Sequence, residues 1–403
     1  MERRFGGTTL QRTNILKATL TMGLAFALLI AALVLTGCGG GQETANYYDD
    51  PVGAEVAAAE AADPSEPHTV TDHNGNEITI PANIERIVMI QPWPLPSVYA
   101  LYVGGGDRIV GVHPSVQSAA EFSLLNRVAP EVAAADISFA QAADVNVEEL
   151  MNLDPCLAFI MAGNDAQREA LEAAGVPAVA FSVTIADWNT IETVNAWVEL
   201  LAEIFGDVGK ANEITDFGRS TEAMVLERIA TLDEDDKPRA LILVRYDEHM
   251  IQTMGTNQFG QYWLDTAGAI NVAGDIEDGF FEVNMEQVLE WDPEIIFITN
   301  FSAVLAEDFD DGVVFNDDWS TVTAVQNGDV HKFPMGMYRW YPPSSDSALT
   351  LMWLAQTIHP DLFDDIDLEQ EIRDFYQRFY DFELSDQDLH DMFNPVREAA
   401  AGS

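Results

Sequence analysis

Two arginines stand beside aromatic residues in a chain with few cations. Arg339 lies in Tyr338-Arg339-Trp340-Tyr341, between Gly336 and Pro342, and Arg245 directly precedes Tyr246. Lys and Arg together number 19, against 67 Asp and Glu. A guanidinium is a planar fork of donors that pairs with carboxylates or catecholate oxygens. Neighbouring rings supply flat apolar walls for a macrocycle or an aromatic chelate. The chemistry these residues offer is capture of a ring-bearing or anionic ligand. The candidate ligand-binding residues are Trp93, His113, Asn164, Arg245, Tyr246, Tyr262, Arg339, Trp340 and Tyr341, assigned to loops at strand ends. Core packing is the stronger reading for Trp263, inside a predicted helix. The 338–341 cluster is read as poorly placed for core.

Other chemistries have less behind them. The 7 histidines do not cluster, and only His113, His249 and His331 fall near predicted strand ends. No bare-metal site is predicted, and spacing backs no haem ligand. The chain has no G-x-S-x-G elbow and no H-E-x-x-H helix. Its many carboxylates leave room for a hydrolase pair, but no spacing selects one. A surface-anchored hydrolase is therefore the alternative from another class, and an adhesin or scaffold is a third. No catalytic residue and no cofactor are assigned, the ligand being read as an iron chelate.

The elements that position these loops are organised around a stretch that occurs twice. Val145-Asn146-Val147-Glu148-Glu149-Leu150-Met151-Asn152-Leu153-Asp154-Pro155 leads into an apolar run at Leu157–Met161. Val283-Asn284-Met285-Glu286-Gln287-Val288-Leu289-Glu290-Trp291-Asp292-Pro293 leads into another at Ile295–Thr299. In each, asparagine is suited to cap a short helix by accepting from free first-turn amides. Glu148 and Glu286 fall in that first turn, where negative charge suits the helix dipole. The residue before proline is pushed out of the α region, so Asp-Pro ends the helix. Two such helix–turn–strand units predict two similar α/β lobes.

A chain of 403 residues with 48% hydrophobic content is long enough for two cores. A formal charge of −48 excludes nucleic acid as a partner, because phosphate neutralisation needs clustered cations. The N-terminus reads as a targeting segment. Arg3, Arg4, Arg12 and Lys17 precede the apolar run Ala18–Leu35, and Leu35-Thr36-Gly37-Cys38 closes it. That closure resembles a bacterial lipobox, which implies cleavage before Cys38 and lipidation of its sulfur. A simple transmembrane anchor is the alternative. Either way the body lies outside the cytoplasmic membrane. Cys156 is the other cysteine, so no internal disulfide is expected.

Taken in order, residues 1–37 read as signal peptide and 38–67 as a tether. An N-terminal lobe spans 68–207, a connecting helix 208–236 and a C-terminal lobe 237–395. The first lobe opens on a hairpin, Thr69–Asp72 and Glu77–Ile80, with its turn at Asn74-Gly75. A strand at Ile87–Ile90 runs into a proline-rich loop around Trp93. Residues 209–232 form an amphipathic helix, with Ile214, Phe217, Thr221, Met224, Val225 and Ile229 on one face. Further helices are expected at Asp187 or Asn189 to Phe205, Trp319–Gln326, Ser344 or Ser345 to Ile358, and Leu368–Tyr380.

The hairpin leading into Ile84-Glu85-Arg86-Ile87-Val88, the twin Asn-x-Glu…Asp-Pro units, Ala324-Val325-Gln326-Asn327-Gly328-Asp329-Val330, and Leu354-Ala355…His359-Pro360 together resemble a known family. It comprises the substrate-binding lipoproteins of ABC importers for iron–siderophores, haem and cobalamin, and the resemblance covers about residues 69–390. It implies an α/β fold of two Rossmann-like lobes joined by a single long backbone helix, with the ligand cleft between the lobes. It implies capture of a ferric siderophore or related metal chelate, with cobalamin or haem as alternatives. The implied partners are an ABC permease and its ATPase, the small-molecule chelate, and the membrane through the lipid anchor; the protein is expected to be a monomer. Glu148 and Glu286 match the family's two glutamates that dock arginines of the permease.

Overall fold

The computed structural model describes residues 63–141 and 144–402. The expected signal peptide, the expected lipidation site Cys38 and most of the expected tether lie outside the described residues. Among the described residues no helix is long and apolar enough to cross a membrane. The description opens in a turn at Asp63–Glu66, whose Pro64 carbonyl accepts from Asn83 N–H at 3.1 Å.

The hairpin pairs His68–Thr71 with Glu77–Ile80 in antiparallel register, and Gly75 takes the positive φ of 80° that its tight turn requires. Two four-stranded sheets then carry the fold. In the first, the spatial order is Ile109–Val112, Ile87–Met89, Leu157–Met161, Ala178–Phe181. In the second it is Ile270–Asn271, Arg239–Leu243, Ile295–Ile298, Val330–Lys332. Every neighbouring pair in both is parallel. Numbered along the chain, each sheet has the order 2-1-3-4, so the fold repeats itself. Two of the first sheet's strands are fully buried and a third, Leu157–Met161, is buried up to its last residue, as parallel strands covered by helices on both faces must be.

The repeated stretch supplies the third strand of each sheet. Asn146 Oδ1 accepts from the amides of Glu148 (3.0 Å) and Glu149 (3.2 Å), capping the helix Val147–Met151. Asn284 Oδ1 accepts from Gln287 N–H at 3.0 Å, capping Met285–Trp291. Both aspartates before proline leave the α region by the same exit, with φ of 48° at Asp154 and 42° at Asp292. Asp292 then accepts from Thr323 N–H at 2.8 Å and starts the helix Thr323–Asn327. That helix is shorter and later than the expected Trp319–Gln326, because Trp319 itself is buried in the core below it.

Between the sheets in sequence runs Val208–Ile229, capped by Asp207 and buried along Ala211, Ile214, Thr215, Gly218, Thr221, Val225 and Ile229. Phe217 and Met224, expected on the buried face, are only partly covered. Asn189, not Asp187, caps the preceding helix Thr190–Phe205 by accepting from Glu192 N–H at 2.8 Å. The amide nitrogen of Asn189 also donates to Glu222 Oε1 at 2.9 Å, and Tyr262 Oη donates to the same oxygen at 2.8 Å. One carboxylate on the long helix thus ties a first-lobe loop to a second-lobe helix. Burial pushes the Glu222 carboxyl above the usual range, against the pull of these two donors. Two elements follow the last expected helix: the helix Asp386–Phe393, with a capping box between Ser385 and Asp388, and a turn at Arg397–Ala400.

Glu222→Ala leaves two donors without their acceptor and is expected to cost roughly 1–3 kcal/mol. Glu222→Gln, which keeps the shared oxygen, is expected to cost less. Urea denaturation separates the two variants, and equal midpoints would remove this carboxylate from the lobe connection.

Candidate functional site

In open parallel sheets, ligands collect outside the carboxyl ends of the strands. Loops from those ends of both sheets meet here. Trp93 follows Ile87–Met89, and His113 follows Ile109–Val112; their rings stack at 4.9 Å with 23° between planes. His113 caps the helix Pro114–Glu121, its Nδ1 accepting from Ser115 N–H at 3.1 Å, which places the ring proton on Nε2. From the second sheet come Asn300 and Phe301 after Ile295–Ile298, and Met335–Tyr341 after Val330–Lys332. The two sides touch where Leu124 N–H donates to Gly336 O at 2.9 Å. Trp93 and Phe122 pack on a small cluster of Ala119, Met335, Tyr338 and Ala399.

Arg339 lies at this junction and is 0% exposed. Its guanidinium carbon sits 5.3 Å from the Phe301 ring centroid and 5.6 Å from that of Tyr338. One terminal nitrogen donates to the carbonyls of Ala399 (2.9 Å) and Ala401 (3.2 Å), and the other to Tyr338 Oη at 3.3 Å. Its Nε has no partner, and neither do Trp93 Nε1 and Asn300 Oδ1. A buried cation is ordinarily paired with an opposite charge. Here the partners are neutral oxygens and ring faces, and two N–H donors remain unused. The arrangement is suited to hold an anion.

The loop's shape comes from Asp346. Its Oδ2 accepts from Met337 N–H (2.6 Å) and Trp340 Nε1 (3.2 Å), and its Oδ1 from Tyr376 Oη (3.0 Å). Gly336 must lack a side chain, since a Cβ would fall 2.4 Å from Asp346 Oδ2. Asp346, not Ser344 or Ser345, is the N-cap residue of the helix Ser347–Ile358, and its carboxylate, drawn to the loop, makes no side-chain cap bond. Burial lifts the Asp346 carboxyl to about 6, although four donors, Met337 N–H the strongest, pull it down. Phe301 is braced separately: Lys332 Nζ donates to the carbonyls of Thr299, Ser302 and Val304 at 2.9, 2.6 and 2.8 Å.

The nine sequence candidates do not gather in one place. Trp93, His113 and Arg339 form the junction. Tyr341 borders it through Phe301, with ring centroids 6.3 Å apart, and its hydroxyl is buried without a partner. Trp340 turns the other way and packs on Trp353 and Phe393. The 338–341 cluster is therefore core on one side and site on the other, each residue at most 1% exposed, which corrects its reading as poorly placed for core. Tyr246 belongs to the second lobe's own core, its hydroxyl bonded to Val314 O, Asp317 Oδ2 and Trp319 Nε1. Tyr262 is held at Glu222. Asn164 caps the helix Asp165–Ala173, accepting from Gln167 N–H at 3.3 Å. Arg245 is half-buried on a short strand paired with Gln252. Trp263 is core, as expected, and donates to Tyr341 O at 2.8 Å. Phe301 and Asn300 went unnoticed in the sequence, although they follow the second repeat as a strand-end loop. Among the described residues no three His, Cys, Asp or Glu side chains gather as a metal site.

Glu148 and Glu286 are both exposed, each in the first turn of its helix. Cys156 is a free cysteine that precedes its strand, its Sγ donating to Arg86 O at 3.2 Å.

Paired parallel sheets of one topology, a long helix between them and a junction of strand-end loops define a two-lobed α/β solute-binding protein. The profile of the family "Periplasmic binding protein" matches residues 87–334, more than half of the chain. The chain belongs to that family. It is 27% identical over 335 residues to "Molybdate-binding protein MolA" of Haemophilus influenzae, covering 77% of this chain and 90% of that protein. It is 25% identical over 346 residues to "Uncharacterized ABC transporter substrate-binding lipoprotein YvrC" of Bacillus subtilis, covering 85% and 98%. The crystal structure of a periplasmic solute binding protein from Veillonella parvula superposes with a TM-score of 0.74 at 29% identity, covering 81% of this chain and 97% of that one. These relatives are named as binding proteins, not enzymes.

Asp346 carries a pH signature. Its folded pKa of about 6 lies above the 3.8 of a free aspartate. Between those values the folded chain holds a proton that the unfolded chain has released, so this group's contribution to stability falls as pH rises through that window. Unfolding free energies measured from pH 4 to 7.5 are expected to show this loss in the wild type. Asp346→Asn should show a shallower loss, the remainder coming from other raised carboxyls such as Glu222. An unchanged slope in the variant would mean that another group titrates.

Proposed function

We propose that this chain is the solute-binding component of an ABC importer, and that it captures an anionic, metal-containing solute at the junction around Arg339. The observation that carries this reading is a fully buried guanidinium with neutral partners and an unused Nε. A desolvated cation gains most from an anion, because charge-assisted hydrogen bonds are about twice as strong as neutral ones. The tight burial of Arg339 favours a compact oxyanion, and similarity to a molybdate-binding protein supports the same class. A ferric siderophore is the second reading, favoured by the ring faces of Trp93, Phe301 and Tyr338; cobalamin and haem are the alternative ligands for the same fold. The proposal includes lipid attachment at Cys38, a monomeric body outside the cytoplasmic membrane, and docking of Glu148 and Glu286 on permease arginines. Their exposure on matched helices of the two lobes supports that docking.

Quenching of tryptophan fluorescence, titrated with molybdate, tungstate, ferric catecholate and hydroxamate siderophores, haem and cobalamin, tests the ligand class. Arg339→Ala is expected to weaken the anion that binds by roughly 2 kcal/mol, about thirtyfold in Kd. Unchanged affinity would remove Arg339 from the site. The double variant Glu148→Ala, Glu286→Ala should abolish uptake by cells with affinity intact. Lost affinity would instead show that the two glutamates serve the fold.

A further inference from the structure

The segment that follows the helix Asp386–Phe393 occupies the junction. Arg397 leaves it outward and pairs with Asp308, one guanidinium nitrogen reaching Oδ1 at 2.6 Å and the other reaching Oδ2. Arg397 also donates to Ala303 O at 3.3 Å. Both acceptors lie in the second lobe, beside the loop that carries Phe301. Two residues on, Ala399 is buried among Ala119, Met335 and Tyr338. Gly402 then reaches the first lobe, so close to Ser118 that a Cβ on it would fall 2.6 Å from the serine Oγ. Residues 394–402 thus cross from one lobe to the other over Arg339. Their carbonyls, at Ala399 and Ala401, are what the guanidinium binds in place of a charge.

A carbonyl is a weaker partner for a buried guanidinium than an anion is. Two carbonyls of a nearby segment are nonetheless present at high effective concentration. We propose that residues 394–402 are a built-in occupant of the ligand site, which an incoming anion must displace from Arg339. This rests on the reading of Arg339 as the anion-binding residue. It makes the segment a determinant of both affinity and ligand size. The observed affinity is the intrinsic one reduced by the fraction of molecules whose segment is lifted. The Arg397–Asp308 pair is the fastening. Both partners are partly exposed and neither belongs to the anion site, so either can be changed with the junction intact.

The test uses the full chain, as wild type, Arg397→Ala and Asp308→Asn. Molybdate and a ferric tris-catecholate are titrated by tryptophan fluorescence. Hydrogen exchange follows the amides of Ala399, bonded to Val396 O, and Ala401, bonded to Glu398 O, with and without saturating anion. Both variants are expected to bind the anion about fivefold more tightly than wild type. In the wild type, saturating anion should release both amides to exchange. Equal or weaker binding in the variants, with the amides still protected in the anion complex, would overturn the displacement proposal alone. If neither anion binds any form, including a variant whose amides already exchange freely, the reading of Arg339 fails and the proposal falls with it.

Discussion

A single buried carboxylate sets the geometry on which the site depends. Asp346 gathers the Met337 amide, the Trp340 indole and the Tyr376 hydroxyl, and so folds Met335–Tyr341 into a tight loop that only glycine at 336 permits. With Trp340 drawn inward to that carboxylate, its neighbour Arg339 points the opposite way, into the junction of the lobes. Asp346 also sits at the N-terminus of Ser347–Ile358, where the helix dipole favours negative charge. Desolvation works against that charge and raises the carboxyl towards neutrality. Aspartate is tolerated there because each of its oxygens has a donor, and the core accepts the cost in exchange for a defined loop.

The same logic explains what the sequence revealed and what it did not. The duplicated stretch was legible because its signals are local: an asparagine cap, a first-turn acid and a proline that stops the helix. All act within a few residues, and both copies fold alike, down to the left-handed aspartates. The long helix was legible from its periodicity. The identical 2-1-3-4 order of the sheets was not written locally, since it depends on which strands find each other across the chain. The helix start at Asp346 is not separable from Ser344 or Ser345 in the sequence, because aspartate and serine are comparably favoured caps and no local signal shows that Tyr376 and Trp340 take up the carboxylate.

The candidate site was legible only in part for a related reason. Trp93, His113 and Arg339 were found because they follow strands or break the composition. Tyr246 and Tyr262 share those local features but spend their hydroxyls on Asp317 and Glu222, partners far off in sequence, and Trp340 spends its indole N–H on Asp346, six residues along the chain. Which polar atoms are claimed by partners across the fold is a tertiary fact. The 394–402 segment carries no motif and no apolar period in the sequence. Its importance comes from carbonyl groups, which every residue carries and no sequence pattern marks.

The charge of the whole molecule bears on why the site cation is buried. The full chain, with a formal charge of −48, repels an anionic solute at long range. At physiological salt this repulsion is screened beyond about 8 Å, so it slows encounter more than it weakens the bound state. An exposed arginine would be screened just as fully, and its attraction would be lost among surrounding acids. Arg339, removed from water and flanked by the faces of Phe301 and Tyr338, acts in a medium of low effective dielectric, where a short contact is worth far more. Such a cation cannot stand empty without cost. Two backbone carbonyls are the smallest substitute that satisfies it without a second ion, and they bind weakly enough to be replaced. On the proposed reading, the acidic surface, the buried arginine and the segment over it form one consistent solution: the surface discourages weak anion binding, and Arg339 is kept satisfied by carbonyls until an anion takes their place.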